Sequence, residues 1–314
     1  MKNITKILII ILSLSLITIA GCKKKSPVND EPQTPPAPIE FTIDNYVYQV
    51  NSDSVSVTLT ECIDLEHLTG DVNIPETVSY DGKEYTVTVI GDYAFNFDMA
   101  WTEIGTLTLP NTITKIGDWA FHACGFTGNL NLPSSLTYIG ECAFSANYHF
   151  SGSLYIPDSV TFMGDYAFCG CYSFEGTLHI PSNLTTINEG VFAMCEQLTG
   201  TLNIPESVTK IGDRAFESCV SFTGNLEFPE ALTFIGELAF YDCTQFIEVI
   251  SRATEPPTLR DYVFPDDRYT TLTVPCNSGY QYEHSPWILY FETIEEDCDT
   301  ARHFDRSEAE WRNL

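Results

Sequence analysis

The chain has 314 residues, and its 43 acidic and 15 basic side chains give a formal net charge of −28. A surface this acidic repels phosphate backbones, which excludes a nucleic-acid-binding protein. Hydrophobic residues make up 44% of the chain, enough to build a core, which excludes a globally disordered polypeptide.

Residues 1–21 have the pattern of a signal peptide. Lys2 and Lys6 precede an apolar run from Ile7 to Ala20 that is too short and wrongly flanked for an ordinary membrane span. The run ends in the letters IAGC, which resemble a bacterial lipobox. That resemblance implies cleavage before Cys22 and lipid attachment to it. A plain signal peptide with a chance cysteine is the alternative interpretation.

Residues 22–40 contain five prolines and no apolar periodicity. Such a composition predicts an extended, semi-rigid tether.

Residues 41–90 predict an N-terminal β cap. The segment from Phe41 to Thr60 alternates apolar and polar residues, as strands of a hairpin do. Asp81-Gly82 lies between two further alternating runs and is a typical two-residue hairpin turn.

Residues 91–250 repeat a unit of about 24 residues. Each unit alternates before its proline, as in TLHIP, where Leu178 and Ile180 are expected to point inward. This pattern predicts a short strand that the proline ends. A phenylalanine followed three residues later by cysteine suits one helical or 3₁₀ turn. The markers are Pro110, Pro133, Pro157, Pro181, Pro205 and Pro229, with Phe121, Phe144, Phe168, Phe192, Phe216 and Phe240.

One such unit buries too little apolar surface to be stable alone, because ordering the backbone of 24 residues costs more free energy than burial of the unit's own core contributes. The units must therefore stack as a solenoid with parallel strands.

A glycine or asparagine follows the second aliphatic residue of most units. Both residue types tolerate positive φ, so we predict a left-handed backbone at this position, with tight packing as the alternative. Arg260 holds the position in the last unit and predicts a different turn there. The residues concerned are Gly91, Gly117, Gly140, Gly164, Asn188, Gly212 and Gly236.

The unit L-x-I-P-x-x-V-T-x-I-G-x-x-A-F-x-x-C resembles the BspA-like leucine-rich repeat family of bacterial surface proteins. The resemblance spans about Phe41 to Asp297 and implies a β-rich solenoid with short parallel strands and short helical or 3₁₀ turns. It also implies a β-hairpin N-terminal cap, and a closing repeat with an irregular C-terminal cap over residues 251–298. In that cap Tyr280, Trp287 and Phe291 would plug the core. Residues 299–314 match nothing in the repeat and are expected to form a tail.

Two further details follow from comparison with that family. Small polar residues are expected to replace the asparagine ladder of ordinary leucine-rich repeats, and an extra glycine is expected to form a bulge at strand entry. The polar residues are Thr112, Ser135, Ser159, Asn183 and Ser207; the glycines are Gly128, Gly152, Gly176, Gly200 and Gly224.

The cysteines predict buried thiols and no metal site. A 24-residue spacing offers no close ligand cluster, and parallel in-register side chains rarely reach disulfide geometry. Cys142 and Cys169 fall off the repeat position and are expected to be more exposed. Cys276 and Cys298 both lie in the terminal cap and are candidates for a disulfide in an exported protein. The repeated cysteines are Cys124, Cys171, Cys195, Cys219 and Cys243.

The outward strand positions form the candidate ligand-binding surface, a polar concave strip with two adjacent rings at its middle. An ordinary solvated sheet face is the alternative interpretation. The strip consists of Thr106, Thr108, Asn129, Asn131, Ser153, Tyr155, Thr177, His179, Thr201, Asn203, Asn225 and Glu227.

The chain shows no nucleophile–base motif, metal-ligand set or phosphate-binding loop, so we expect no enzyme and no cofactor. The leading hypothesis is a lipid-anchored binding or adhesion module for a protein of the host extracellular matrix or of another bacterial surface. A glycan-binding lipoprotein that supports polysaccharide capture is the alternative. We expect the outer membrane as its location, at the cell surface. The periplasmic face of the outer membrane is the alternative location. Surface export in bacteria carrying such proteins often favours acidic residues directly after the lipidated cysteine, whereas this chain has Lys23 to Lys25 at that place.

Overall fold

The computed structural model describes residues 37–65, 68–96, 102–265 and 269–298. These residues form a β-solenoid that begins with an antiparallel meander and ends with a short helical cap. The signal peptide, the lipid-attachment residue Cys22, most of the tether and the tail lie outside the described ranges.

Most strands are short, and the solenoid strands have two residues in the majority of coils. In chain order they are β1 (Glu40–Ile43), β2 (Tyr46–Val50), β3 (Ser56–Cys62), β4 (Val72–Asn73), β5 (Thr77–Tyr80), β6 (Lys83–Ile90), β7 (Leu107–Thr108), β8 (Lys115–Ile116), β9 (Gly128–Asn129), β10 (Tyr138–Ile139), β11 (Phe150–Ser151), β12 (Leu154–Tyr155), β13 (Phe162–Met163), β14 (Leu178–His179), β15 (Thr186–Ile187), β16 (Lys210–Ile211), β17 (Gly224–Phe228), β18 (Phe234–Ile235), β19 (Phe246–Ser251), β20 (Thr258–Leu259), β21 (Tyr269–Pro275) and β22 (Phe291–Asp297).

The N-terminal cap is a β-meander that continues into the solenoid. Strands β1, β2 and β3 pair antiparallel, and β3 then pairs in parallel with β6. Asp81 and Gly82 join β5 to β6 with φ of 49° and 73°, the pair of positive angles that a type I′ hairpin turn needs. The predicted hairpin cap is confirmed.

Most coils contribute strands to two parallel ladders, and the coil around Asn203 has only isolated bridges on its front side. The front ladder lies on the side of the coil that leads into the recurring proline, in the segments β4–β7, β9–β11, β12–β14 and β17–β19–β21–β22. The back ladder contains the strands that precede the recurring glycine, in the segments β6–β8–β10–β13 and β15–β16–β18–β20. The sequence predicted only the front strand, because the aliphatic residues of the back segment, such as Leu184 and Ile187, are three apart and do not alternate with polar residues.

The third side of each coil is a run of tight turns around the phenylalanine. Hydrogen bonds span three residues, as in a 3₁₀ helix, but left-handed residues prevent a continuous helix. The turns also pair between coils: the N–H of Phe121 donates to the carbonyl of Ala143 at 2.8 Å, and the N–H of Phe144 donates to Ala167 at 2.8 Å. Backbone hydrogen bonds therefore join most neighbouring coils on all three sides.

The predicted left-handed position was wrong by two residues. The recurring glycines lie outside the left-handed region, and Asn188 does too. Tyr262 has φ of 56°, so the last coil turns like the others. The expectation that Arg260 would give this coil a different turn was therefore wrong. The left-handed residues, with φ between 49° and 59°, are Tyr93, Trp119, Cys142, Tyr166, Gly190, Arg214, Leu238 and Tyr262.

The recurring glycines are instead required by close approach between coils. A Cβ on Gly164 would lie 2.3 Å from the backbone nitrogen of Glu141, and one on Gly236 would lie 2.3 Å from that of Asp213. Tight packing, the alternative interpretation, is therefore correct. The predicted glycine bulge is present at Gly224, where the register of β17 against β19 shifts.

The core is a stack of phenylalanine rings with one ring per coil. Neighbouring ring centroids are 5.0 to 6.0 Å apart and the rings are nearly parallel, a geometry that adds attraction beyond burial. The rings belong to Phe95, Phe121, Phe144, Phe168, Phe192, Phe216, Phe240 and Phe264.

The repeated thiols are buried and bridge adjacent coils, as expected for structural cysteines. Each Sγ lies 2.8 to 3.2 Å from the phenylalanine carbonyl of the preceding coil. Asn147 takes the cysteine's place in one coil, and its Nδ2 donates to the carbonyl of Phe121 at 2.7 Å. Cys142 is buried, contrary to expectation, while Cys169 is half-buried.

Serine side chains act as the predicted polar ladder. The hydroxyls of Ser135, Ser159 and Ser207 each donate at 2.7 Å to a backbone carbonyl of the preceding coil. These bonds satisfy carbonyls at the corner that follows the front ladder.

The C-terminal cap contains helix α1 (Gly279–Glu283) and a 3₁₀ helix (Pro286–Leu289). Trp287 and Phe291 are buried against the last coil, as predicted. Tyr280 is 70% exposed, so its predicted plugging role was wrong; Tyr282 is buried instead and its hydroxyl donates to the carbonyl of Ala253 at 2.8 Å.

A disulfide joins Cys276 to Cys298 beside this cap. None of the helices in the described ranges is long and apolar enough to cross a membrane.

Candidate functional site

The candidate site is the front strip, which we define as the twelve outward side chains predicted above on and beside the front ladder. Ten are exposed, while His179 and Asn225 are half-buried. The structure therefore places all twelve at the surface, in the order Thr106, Thr108, Asn129, Asn131, Ser153, Tyr155, Thr177, His179, Thr201, Asn203, Asn225 and Glu227.

The alternation of each front strand determines which side chains reach the strip. Leu154 and Ile156 are buried on either side of exposed Tyr155. Leu154 is paired with Leu178, and Tyr155 with His179 in the next coil. Because the pairing is in register, equivalent positions of successive coils lie side by side.

A stacked pair of rings lies at the middle of the strip. The rings of Tyr155 and His179 are 4.4 Å apart with an interplanar angle of 7°. Nε2 of His179 lies 3.4 Å from Oδ1 of Asp158, and Tyr155 is 55% exposed. The pKa of Asp158 is below its ordinary value, chiefly because the backbone N–H of Ser182 donates to it, with smaller contributions from the Ser182 hydroxyl and then from His179.

Hydrogen bonds between coils hold the N-terminal half of the strip. Asp71 accepts from the backbone N–H of Thr106 at 2.9 Å and from its hydroxyl at 2.7 Å, which lowers the pKa of Asp71. The N–H of Thr177 donates to the hydroxyl of Ser153 at 3.0 Å. These contacts fix side-chain positions before any ligand binds.

The C-terminal half of the strip forms a shallow groove of about 250 Å³. Arg252 lies 2.7 Å from Glu227 at one end of the groove, and Asn225 donates to Glu248 at 3.0 Å. Thr201 and Asn203 line the other side. The groove was not evident in the sequence, because Arg252 lies outside the regular repeat.

Burial keeps the free thiols of the described residues protonated at neutral pH. Burial raises the pKa of Cys169 to about 11 and that of Cys142 to about 12. In the described part of the chain, the residues close enough to hold a metal ion are Cys276, Glu296 and Cys298, and both of those cysteines are in the disulfide.

Comparison with known proteins gives a consistent picture of the repeat. A family model described as "BspA type Leucine rich repeat region" matches in six copies, over residues 73–199 and 164–284, which is more than half of the chain. Among curated proteins, none matches.

Several solved structures are similar to this chain. A leucine-rich repeat protein from Bacteroides ovatus is 21% identical, with 82% of this chain and 76% of that chain covered and a TM-score of 0.45. A leucine rich cell surface protein from Faecalibacterium prausnitzii is 20% identical, with coverage of 83% and 95% and a TM-score of 0.45. The pneumococcal vaccine antigen PcpA is 18% identical, with coverage of 75% and 81% and a TM-score of 0.48. At these identities the similarity concerns the fold alone.

Proposed function

The chain belongs to the BspA-type leucine-rich repeat family, and from this premise we propose that it is a non-catalytic binding module that recognises a protein ligand through the front strip. The family is one of bacterial surface proteins, which supports adhesion as the purpose of that binding.

One observation supports the front strip most directly: it is almost uncharged on a strongly acidic molecule. Of its twelve side chains only Glu227 is formally charged, whereas the whole chain has a net charge of −28. Interface centres are typically depleted in charge and enriched in aromatic residues, and Tyr155 provides an exposed ring at the middle of the strip. Since the side chains of Thr106, Ser153 and Asn225 are already held by hydrogen bonds, ordering them on binding costs little conformational entropy.

We further propose that the protein is exported and lipid-anchored through Cys22 at the cell surface. The basic n-region, the apolar run and the IAGC letters support this proposal. The partner would be a protein of the host extracellular matrix or of another bacterial surface.

The strip is tested by replacing its two central rings. Tyr155→Ala/His179→Ala should weaken binding to an extracellular-matrix protein, found by screening a purified panel with the wild-type chain, by at least about tenfold. The readout is surface plasmon resonance on the matrix protein.

A second stacked tyrosine–histidine pair provides a matched control. Tyr280 and His284 have ring centroids 4.0 Å apart, and both are exposed on the C-terminal cap. Tyr280→Ala/His284→Ala should leave the affinity unchanged. Equal affinities for wild type and both double variants would contradict the assignment of the strip.

The anchor is tested in cells. Cys22→Ser should abolish incorporation of labelled fatty acid, and protease treatment of intact cells should degrade the wild-type protein. Protection from protease in intact but not in lysed cells would place it on the periplasmic face and rule out adhesion.

A further inference from the structure

The back ladder is interrupted at one coil, and the interruption coincides with a departure from the repeat. Strands β13 and β15 are consecutive in the ladder and both are described, yet they do not pair. Asn188 follows β15 at the position where the other regular coils have glycine. The exceptional residue thus lies at the break.

The hydrogen bonds show how asparagine opens the ladder. In regular coils the glycine N–H donates to the preceding coil, as from Gly164 to Ile139 at 2.8 Å and from Gly212 to Ile187 at 2.7 Å. At the break the side-chain Nδ2 of Asn188 donates to the carbonyl of Met163 at 2.7 Å in place of the backbone. A side-chain hydrogen bond thus takes the place of the backbone bond at the point where β13 and β15 do not pair.

A crevice of about 200 Å³ lies at this break. Its lining has no charged side chain, although the molecule is strongly acidic. The polar lining groups are the hydroxyls of Thr161, Thr185 and Thr186 and the amide of Asn188.

An exposed aromatic ring borders the crevice. Phe162 is 41% exposed, and its ring is stacked on Tyr138 with centroids 4.9 Å apart and an interplanar angle of 13°. Lys115 in turn lies over the Tyr138 ring, 4.8 Å from its centroid. The stack holds Phe162 in a fixed orientation.

We propose that this crevice is a binding subsite for one ring of a neutral glycan. An aromatic face beside several hydroxyls and an amide matches a sugar ring, which has apolar C–H faces and hydroxyl edges. The ligand is neutral because the lining is uncharged and the net charge repels acidic polysaccharides. At about 200 Å³ the crevice is smaller than the pockets of about 300–1,000 Å³ that hold drug-sized ligands, which suits a single sugar ring. This site lies on the back ladder and is separate from the front strip.

Two variants and one control test the subsite. Phe162→Ala removes the platform, and Asn188→Gly restores the repeat glycine and should close the crevice by backbone pairing. Phe234 is the matched control, since it has the same strand position in β18, where the ladder is continuous. None of these changes alters the front strip.

The probe is an array of neutral hexasaccharides, including cellohexaose and maltohexaose, with polygalacturonate as the acidic comparison. We expect wild type to bind at least one neutral glycan, and titration calorimetry to show at least about tenfold weaker affinity for Phe162→Ala and Asn188→Gly but not for Phe234→Ala. Asn188→Gly should also unfold at a higher urea concentration than wild type, which shows that its loss of binding is not a loss of folding.

Three outcomes would overturn the proposal: no neutral glycan bound by wild type, binding of polygalacturonate alone, or neutral-glycan binding that Phe162→Ala leaves intact. Each of them leaves the front strip untested, because matrix-protein binding is measured separately with the Tyr155 and His179 variants.

Discussion

At the scale of single residues, the solenoid depends on left-handed backbone at positions where glycine is mostly absent. Each regular coil has two such residues four apart, with the core phenylalanine between them, as Cys142 and Ala146 lie around Phe144. A non-glycine residue in this conformation costs about 1 kcal/mol. The inter-coil bonds that these residues make, such as the 2.8 Å bond from the N–H of Ala146 to Cys169, offset the cost.

Ala146 and Gly170 allow this cost to be measured, because they hold the same position in consecutive coils. Gly170 has φ of 72°, and a Cβ there would meet nothing closer than 3.8 Å. Gly170→Ala should therefore lower the free energy of unfolding by about 1 kcal/mol through conformation alone. Ala146→Gly should not lower it. Urea unfolding followed by circular dichroism measures both, and a larger loss in Ala146→Gly than in Gly170→Ala would contradict the argument.

At the scale of elements, the sequence predicted the strands and turns that a repeated residue pattern marks. It missed the features that depend on close contact between neighbouring coils. The front strand was evident because Leu178 and Ile180 alternate with polar residues and a proline follows. The recurring glycine was visible too, but a residue type does not reveal whether φ or space requires it. Asn147 was missed because an amide replacing a thiol breaks the pattern while preserving the bond to Phe121.

The candidate strip could be located from the same alternation, whereas its groove and the back-ladder crevice could not. The groove depends on Arg252, outside the regular repeat, and the crevice on a break in pairing at Asn188. Both arise from contacts between coils that no single unit specifies.

Close approach between neighbouring coils makes the recurring glycines more sensitive to substitution than the left-handed glycines. A Cβ on Gly236 would lie 2.3 Å from the Asp213 nitrogen and 2.4 Å from its Oδ1. Relief requires movement of the backbone of the neighbouring coil, so Gly236→Ala should cost about 2–3 kcal/mol. The same urea experiment compares it with Gly170→Ala, and equal midpoints would show that the coils separate freely.

At the scale of the whole molecule, buried thiols and tyrosines make the free energy of unfolding depend on pH in the alkaline range. Burial raises the pKa of Cys169 to about 11, of Cys142 to about 12 and of Tyr282 to about 12, from ordinary values of 9.0 for thiols and 10.0 for tyrosine. The folded chain therefore keeps protons that the unfolded chain releases.

Stability should be fully present below pH 9 and decline as the pH rises from 9 towards 12, because a raised folded-state pKa means that the unfolded state binds fewer protons there. The measurement is the urea midpoint between pH 7 and 11. Cys169→Ala should reduce the slope above pH 9, and a midpoint independent of pH across this range would contradict the prediction.

The proline and phenylalanine columns repeat every 23 or 24 residues, so the length of the solenoid changes in whole coils. An exchange between equivalent positions of two coils adds or removes one whole turn, and the proline and phenylalanine columns continue across the junction. The two end caps then need no change, while the front strip lengthens or shortens by about 4.8 Å at each step. Unequal recombination within one gene can thus produce proteins whose front strips differ in length while each coil keeps the same fold.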